Sequence, residues 1–214
     1  MIKRKSGEQT LLASVLLSSP GPIVVGIGLF LGRSSTQLAD FIRRTAELVA
    51  IIVSWLVYRA TNKEDTIDSE RKARLEYVSN LCVGLAMCLG SVAMLLVAFL
   101  SPSGEKGNVI PGLVIAILGV ITNTWFWFRY RRLDKDNPNA ILAVQSRLYR
   151  AKSLVDTCVT ISLATVAIYP GSEAAYYMDI AGTAVVAFYL AINGVITIFG
   201  TNGKKFSKTK APAG

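Results

Sequence analysis

The 214-residue chain contains no histidine, only three cysteines and few charged residues. Most nucleophile–base pairs of enzymes depend on histidine, and the chain also lacks a phosphate-binding loop and a Gly-x-Ser-x-Gly motif. Cys82, Cys88 and Cys158 lie in apolar segments without a CxxC pair, so they predict neither a disulfide framework nor a zinc site. We therefore expect a protein that is not an enzyme and that holds no cofactor.

The scarcity of charge identifies the chain as a membrane protein. Charged residues make up 17% of it and hydrophobic residues 52%, with a mean hydropathy of +0.45, whereas soluble domains average about 25% charged residues. Each of six apolar stretches is close to the roughly 20 residues that an α-helix needs to cross a bilayer. The predicted fold is an all-α bundle of six transmembrane helices. The stretches are 11–31, 35–58, 75–100, 109–128, 151–169 and 176–199.

The net charge of +9 is distributed by side of the membrane. Nearly all Lys and Arg residues outside the spans fall at the two termini and in the loops 59–74 and 129–150, and the opposite side holds only Arg33 and Lys106. This asymmetry predicts cytoplasmic termini, with lipid rather than nucleic acid as the partner. The lack of glycosylation and sorting signals favours a prokaryotic inner membrane. We expect one membrane domain over residues 1–203, a basic tail over 204–214 and no soluble C-terminal domain. Pro20 and Pro22 should kink the first helix.

Two of the spans carry charges that are expensive in lipid. The second span holds Asp40, Arg43, Arg44 and Glu47, and the fifth holds Lys152 and Asp156. A charge at the bilayer centre costs about 2.5–3.5 kcal/mol on insertion scales, so such residues usually pair with one another or line a pathway. Arg43 and Glu47 are four residues apart, as are Lys152 and Asp156, so each pair shares a helix face.

The second and fifth of six alternating spans run antiparallel. Their order of charge is also the same along the chain, so Arg43 should come level with Asp156, and Glu47 with Lys152. We expect a cluster of zero net charge near the middle of the membrane. Two interpretations stay open: ion pairs that fix the helix packing, or a site for translocation.

Several segments, in order, resemble the transmembrane domain of the cation diffusion facilitator (cation efflux) family. SSTQLADFIRRTAE resembles the entry to helix 2, RLEYVSNL the start of helix 3, KSLVD a motif of helix 5 and MDIAGTAVVAFYLAINGV helix 6. Asn123 has a counterpart in helix 4. The resemblance implies proton-coupled, alternating-access export of divalent metals by a homodimeric antiporter. Gly84, Gly90, Gly182 and Ala187 could serve either such a dimer or packing within one subunit.

Carried over by position, the ion site of the family corresponds to Arg43, Glu47, Lys152 and Asp156. The family has His or Asp where this chain has Arg43 and Lys152. Arginine cannot deprotonate in a protein and lysine rarely coordinates metal, so only Glu47 and Asp156 could hold a metal, if any binds. The substrate is left open among a divalent metal, a monovalent ion, an organic cation and an anion, and a non-transporting assembly protein is the alternative. Supporting residues or a proton path would be Asp40, Arg44, Asn123 and Asp179.

Overall fold

In a computed structural model the backbone is described for residues 2–31, 35–63, 68–100, 110–169 and 173–208. Side chains are described within residues 6–27, 41–62, 68–96, 110, 113–165, 167–169, 177 and 181–200. All regular structure in these ranges is α-helical, which agrees with the predicted fold class. The helices are α1 Ile2–Ser18, α2 Pro20–Leu31, α3 Ser35–Lys63, α4 Ser69–Leu100, α5 Ile110–Asp136, α6 Ala140–Ile168 and α7 Glu173–Lys208.

The first predicted span is divided into α1 and α2, which meet at Ser19. The backbone N–H of Ser19 still bonds to Val15 O at 3.0 Å, but Pro20 and Pro22 have no N–H to offer Leu16 and Ser18. The predicted kink is therefore confirmed as a break in the helix. The two pieces together form one candidate membrane span over Ser6–Ile27, so the seven helices make six rods.

Within the described residues, four rods are long and apolar enough to cross a membrane. They include Ser6–Ile27, Ser69–Leu96, Leu113–Asp136 and Ala181–Gly200. The other two rods are α3 and α6, which carry the charges discussed above. Side chains such as Ile115, Trp125 and Phe188 on the outside of the bundle are more than half exposed, as expected for a surface in contact with lipid.

The helices extend beyond the apolar stretches from which they were predicted. Within the predicted loop 59–74, α3 continues to Lys63 and α4 begins at Ser69, and the predicted loop 129–150 is reduced to residues 137–139. The reason is that Lys, Arg and Glu are good helix formers outside the membrane. Asn139 caps α6 by accepting from the N–H of Ile141 at 2.9 Å. The last helix likewise continues to Lys208, past the predicted start of the tail at 204.

Successive rods run antiparallel, and many of the large buried side chains among the described residues lie in one half of the bundle. That half contains the ends of α3 and α5 and the starts of α4 and α6, and it is the half predicted to face the cytoplasm. Phe126, Tyr130 and Tyr149 stack there, with ring centroids 4.9–6.0 Å apart. Further large side chains buried in this half are Ile51, Tyr58, Val83, Met87, Ile141 and Leu142.

Small residues bring α4 and α7 into close contact within the single chain. A Cβ added to Gly84 would lie 3.0 Å from the carbonyl oxygen of Gly194, and one added to Gly194 would lie 2.9 Å from that of Gly84. Gly90 lies against the side chain of Arg43, and Ala187 is fully buried. Gly84, Gly90 and Ala187 therefore pack within the subunit, and their use in a dimer stays a prediction.

Candidate functional site

Glu47 is the centre of a charged cluster between α3 and α6. Its side chain is 9% exposed. Lys152 Nζ lies 3.3 Å from Glu47 Oε2, and an Arg43 guanidinium nitrogen lies 3.4 Å from Glu47 Oε1. Each carboxylate oxygen therefore faces its own cation. The expected pairing of Glu47 with Lys152 across the two helices is present.

Asp156 on α6 contacts two residues of α5. Asn123 Nδ2 donates to Asp156 Oδ2 at 2.6 Å, and the carboxylate packs against the Cα of Gly119, where a Cβ would come within 2.6 Å of Oδ2. One turn earlier on α6, the hydroxyls of Ser153 and Thr124 are 2.6 Å apart. Asn123, predicted as a supporting residue, thus contacts the site directly.

Arg43 was expected to pair with Asp156, but in the structure Arg43 pairs with Glu47 and Asp156 pairs with Asn123. Arg43 donates to Glu47 on its own helix, because a spacing of four residues places the two side chains on one face. Asp156 is one turn beyond Lys152 on α6 and turns toward α5, where Gly119 leaves room for its carboxylate. Arg43, Glu47 and Lys152 form one ion-paired group, and Asp156 follows Lys152 by four residues on the same face of α6.

Lys152 contacts both Glu47 and an aromatic ring of its own helix. Its side chain is 14% exposed, and Nζ lies 5.1 Å from the centre of the Tyr149 ring. This cation–π contact gives the ammonium a second favourable partner besides Glu47. The hydroxyl of Tyr149 is in turn 3.4 Å from that of Ser18, next to the break between α1 and α2.

Arg44 lies against α2. Its guanidinium lies beside Gly21, with NH1 3.4 Å from the position of an added Cβ. Gly7 faces Tyr58 and Gly26 faces Phe41, so α1 and α2 run antiparallel to α3 and the break at Ser19 lies level with Glu47. The side chains of Asp40 and Asp179, both predicted to support the site, lie outside the described residues.

A second polar group was missed by the sequence reasoning. Ser54 Oγ accepts from Ser79 Oγ at 2.9 Å and from Gln145 Nε2 at 2.8 Å. All three side chains are fully buried. Ser54 follows Glu47 by seven residues and Gln145 precedes Lys152 by seven, so each lies on the charged face of its helix. This spacing of seven residues from the charged positions is the sequence signal that could have identified the group.

The donor set disfavours a multi-carboxylate metal centre in the described part of the chain. No group of three His, Cys, Asp or Glu residues comes together there. Glu47 is already bridged by two cations, and Asp156 is bonded to an amide. Arg43, Glu47, Lys152 and Asp156 carry a formal net charge of zero, so the cluster as it stands needs no bound ion.

Comparison with known proteins identifies the fold. The family model described as the cation efflux transmembrane domain matches residues 11–199, from the second half of α1 to the last part of α7. No curated protein matches the chain. The family match reaches every helix described above, including both helices of the charged cluster. The chain is therefore an integral membrane protein that belongs to the cation efflux, or cation diffusion facilitator, family of cation transporters.

Proposed function

We propose that the chain is a proton-coupled, alternating-access cation antiporter whose substrate site is Arg43, Glu47, Lys152 and Asp156. The observation that carries the proposal is the ammonium of Lys152, 3.3 Å from Glu47. It occupies the place that a transported cation would take beside this carboxylate. A cation that enters must displace the ammonium, or the ammonium must lose its charge.

Charge balance favours a monovalent substrate. Arg43 is permanently charged, whereas a buried lysine can release its proton. Loss of the Lys152 proton leaves a net charge of −1, which one monovalent cation returns to zero. A divalent metal, the substrate class that the family implies, would leave +1 in the membrane interior at a cost of several kcal/mol. One proton would then be exchanged for one cation without net movement of charge.

The cytoplasmic position of both termini, the prokaryotic inner membrane and a homodimer belong to the same proposal. The basic loop ends and N-terminal segment support the orientation. The N-terminal helix is joined to that side of the bundle by Arg59 with Glu8 at 3.5 Å and by Arg129 with Ser6 at 2.9 Å.

A second candidate is a membrane protein that has kept the fold for assembly and transports nothing. The observation in its favour is that both oxygens of Glu47 are already paired. Removing one member of a buried ion pair commonly costs about 3–5 kcal/mol, so a structural pair should reveal itself through stability.

Flux measurements in proteoliposomes distinguish the antiporter from the assembly protein. The purified chain is given a pH gradient and Na⁺, K⁺, Rb⁺, Zn²⁺ or Mn²⁺, with and without an imposed membrane potential. We expect an alkali cation to exchange for protons at a rate that does not respond to the potential. Lys152→Arg, which keeps the charge but cannot release a proton, should abolish exchange, and Lys135→Arg on the exposed end of α5 should not.

Two results would contradict the proposal. A zinc or manganese current lost in Glu47→Gln would mean that the site carries divalent metal despite its two cations. A folded wild type that moves no ion in the panel, together with a large loss of stability in Glu47→Gln, would favour the assembly protein.

A further inference from the structure

A cavity of about 270 Å³ lies between α1, the end of α5 and the start of α6. Its lining is part apolar and part charged. Leu133 and Leu142, at most 9% exposed, supply the apolar part, and Arg129, Arg132 and Asp136 supply the charged part. None of these residues belongs to the charged cluster around Glu47. The cavity thus offers a formal charge of +1 beside buried apolar side chains.

Arg129 is fixed at the wall of the cavity by α1. Its Nη2 donates to Ser6 Oγ at 2.9 Å, and Ser6 lines the cavity as well. A guanidinium has five N–H donors in a planar fork, and this bond uses one of them. The neighbouring sequence is also basic, with Lys-Arg-Lys at residues 3–5 and further cations at Arg131 and Lys135. Arginine forks of this kind are well suited to the oxygens of a phosphate group.

The cavity lies where the apolar part of α5 ends. No charged residue occurs from the start of the helix at Ile110 to Phe128, and Arg129 follows directly. The apolar part is about 28 Å long at 1.5 Å per residue, close to the roughly 30 Å thickness of the hydrocarbon core of a bilayer. With this part of α5 in the hydrocarbon, Arg129 and Arg132 lie at the depth of phospholipid headgroups.

An exposed apolar stripe of α5 leads to the cavity. Ile121, Trp125 and Phe128 are each more than half exposed. They precede Arg132 at intervals of four, three and four residues, so all four share one face of the helix. An acyl chain can pack along this stripe while its headgroup reaches the arginines. A soluble phosphate would gain nothing from the stripe, which therefore favours a lipid as the ligand.

We infer that the cavity binds the phosphodiester of an anionic phospholipid whose headgroup carries a charge of −1, with an acyl chain along Ile121, Trp125 and Phe128. We name the cavity, lined by Ser6, Arg129, Arg132, Leu133, Asp136 and Leu142, the arginine cavity. Its formal charge of +1 balances this headgroup, whereas a zwitterionic lipid would leave the charge unbalanced. Basic pockets between membrane helices are known to bind anionic headgroups. The inference is independent of which ion the protein transports.

The first test measures which lipid lies against Trp125. The chain has three tryptophans, so Trp55→Phe with Trp127→Phe leaves Trp125 as the single fluorophore. This variant is reconstituted in mixtures of phosphatidylglycerol and phosphatidylcholine, of which one at a time carries brominated acyl chains that quench tryptophan. We expect the relative affinity for phosphatidylglycerol over phosphatidylcholine to be at least about fivefold. Equal affinity for the two lipids would overturn the inference.

Arg132→Gln and Arg131→Gln form a matched pair in the same background. Both arginines are exposed at the same helix end, but only Arg132 lines the cavity. We expect Arg132→Gln to lower the preference for phosphatidylglycerol about fivefold, the size of one arginine contact at a membrane surface. Arg131→Gln should stay within about twofold of its parent. An equal loss in both variants would mean a general attraction to the anionic surface and would overturn the cavity as the site.

Two further arms identify the ligand chemistry. Asp136→Asn removes the negative charge from the lining and should strengthen the preference for phosphatidylglycerol. A weaker preference would mean that Asp136 holds an ammonium of the headgroup, which contradicts an anionic lipid. Inorganic phosphate at millimolar concentration should leave the preference unchanged. Loss of the preference in phosphate would assign the cavity to a soluble anion instead of a lipid.

A second measurement keeps all three tryptophans, in case the double replacement does not fold. The melting temperature of the chain in detergent is recorded with added phosphatidylglycerol or phosphatidylcholine. We expect phosphatidylglycerol to raise it more than phosphatidylcholine does, in the wild type and in Arg131→Gln but not in Arg132→Gln. An equal rise with both lipids, or the same rise in Arg132→Gln as in the wild type, would overturn the inference.

Discussion

At the scale of single residues, the site depends on glycine as much as on charge. Asp156 can face Asn123 only because residue 119 has no side chain, and a Cβ there would approach Oδ2 to 2.6 Å. Gly182 on α7 also lies beside α6, but a Cβ there would meet nothing closer than Cys158 Cβ at 3.8 Å. These two glycines form a matched pair for testing the position of the carboxylate.

We predict that Gly119→Ala displaces Asp156 and lowers cation exchange at least about tenfold, whereas Gly182→Ala stays within about twofold of the wild type. The reason is steric, since the new methyl group cannot share space with the carboxylate. Proteoliposome flux and thermal unfolding of both variants provide the measurement. Equal activity of the two would show that the position of Asp156 beside α5 is not required.

The site also shows which residue contacts the sequence could and could not predict. The pairing of Glu47 with Lys152 followed from charge order and antiparallel helices alone. The partner of Asp156 did not, because it depends on the rotation of α6 toward α5 and on the space above Gly119, neither of which has a periodic signature. The orientation of Arg44 toward Gly21 likewise depends on where α2 starts after the break.

At the scale of elements, the contact between α4 and α7 and the break between α1 and α2 are the features most open to test. The first is a close backbone approach at Gly84 and Gly194, where an added Cβ would come within 3.0 Å of the opposing carbonyl oxygen. The second is a discontinuity level with Glu47. Broken helices in transporters commonly lie at the depth of the binding site.

We predict that Gly84→Ala lowers the free energy of unfolding by about 1–3 kcal/mol, because overpacking forces the two backbones apart. Gly200→Ala should be neutral or stabilising, since its Cβ would be 3.9 Å from Ile196 of its own helix and alanine is the better helix former. Thermal or chemical unfolding in detergent checks both. A stable Gly84→Ala would mean that α4 and α7 pack less closely than described.

We predict that joining α1 and α2 impairs transport without loss of stability. Pro20→Ala with Pro22→Ala restores N–H groups for the carbonyls of Leu16 and Ser18, so the melting temperature should stay constant or rise. Exchange should fall at least about fivefold, because α2 could no longer move separately from α1. Pro138→Ala, in the connection before α6, is the control. Full activity of the joined helix would rule out movement at the break.

At the scale of the whole molecule, the helical character and the arrangement as six rods were predictable, whereas the ends of the helices and the division of the first rod into α1 and α2 as separate helices were not. Hydropathy detects only the part of a helix inside lipid, so the loops 59–74 and 129–150 were predicted too long. Polar helix ends such as Ser69–Arg74 carry no apolar signal, yet they continue the helix in water. The buried hydrogen-bonded group of Ser54, Ser79 and Gln145 was missed for a related reason, since single serines are common in membrane helices and do not stand out from the apolar pattern.

We predict that both termini lie on the cytoplasmic side. Reporters that are active only in the cytoplasm should work when fused to either terminus, whereas a fusion within the connection 101–109 should be inactive. The reason is the excess of Lys and Arg at the end of the bundle that contains both termini. Activity only in the 101–109 fusion would reverse the orientation.

The ion pair of Arg43 with Glu47 on a single helix has a consequence for biosynthesis. Glu47 and Lys152 are about a hundred residues apart, which at about 5–20 residues per second separates their synthesis by several seconds. During that interval α3 must enter the bilayer before its partner helix exists. With Arg43 one turn from Glu47, α3 brings its own counter-charge through the insertion machinery. Replacing Arg43 with an uncharged residue would therefore impair insertion before it could impair anything in the finished protein.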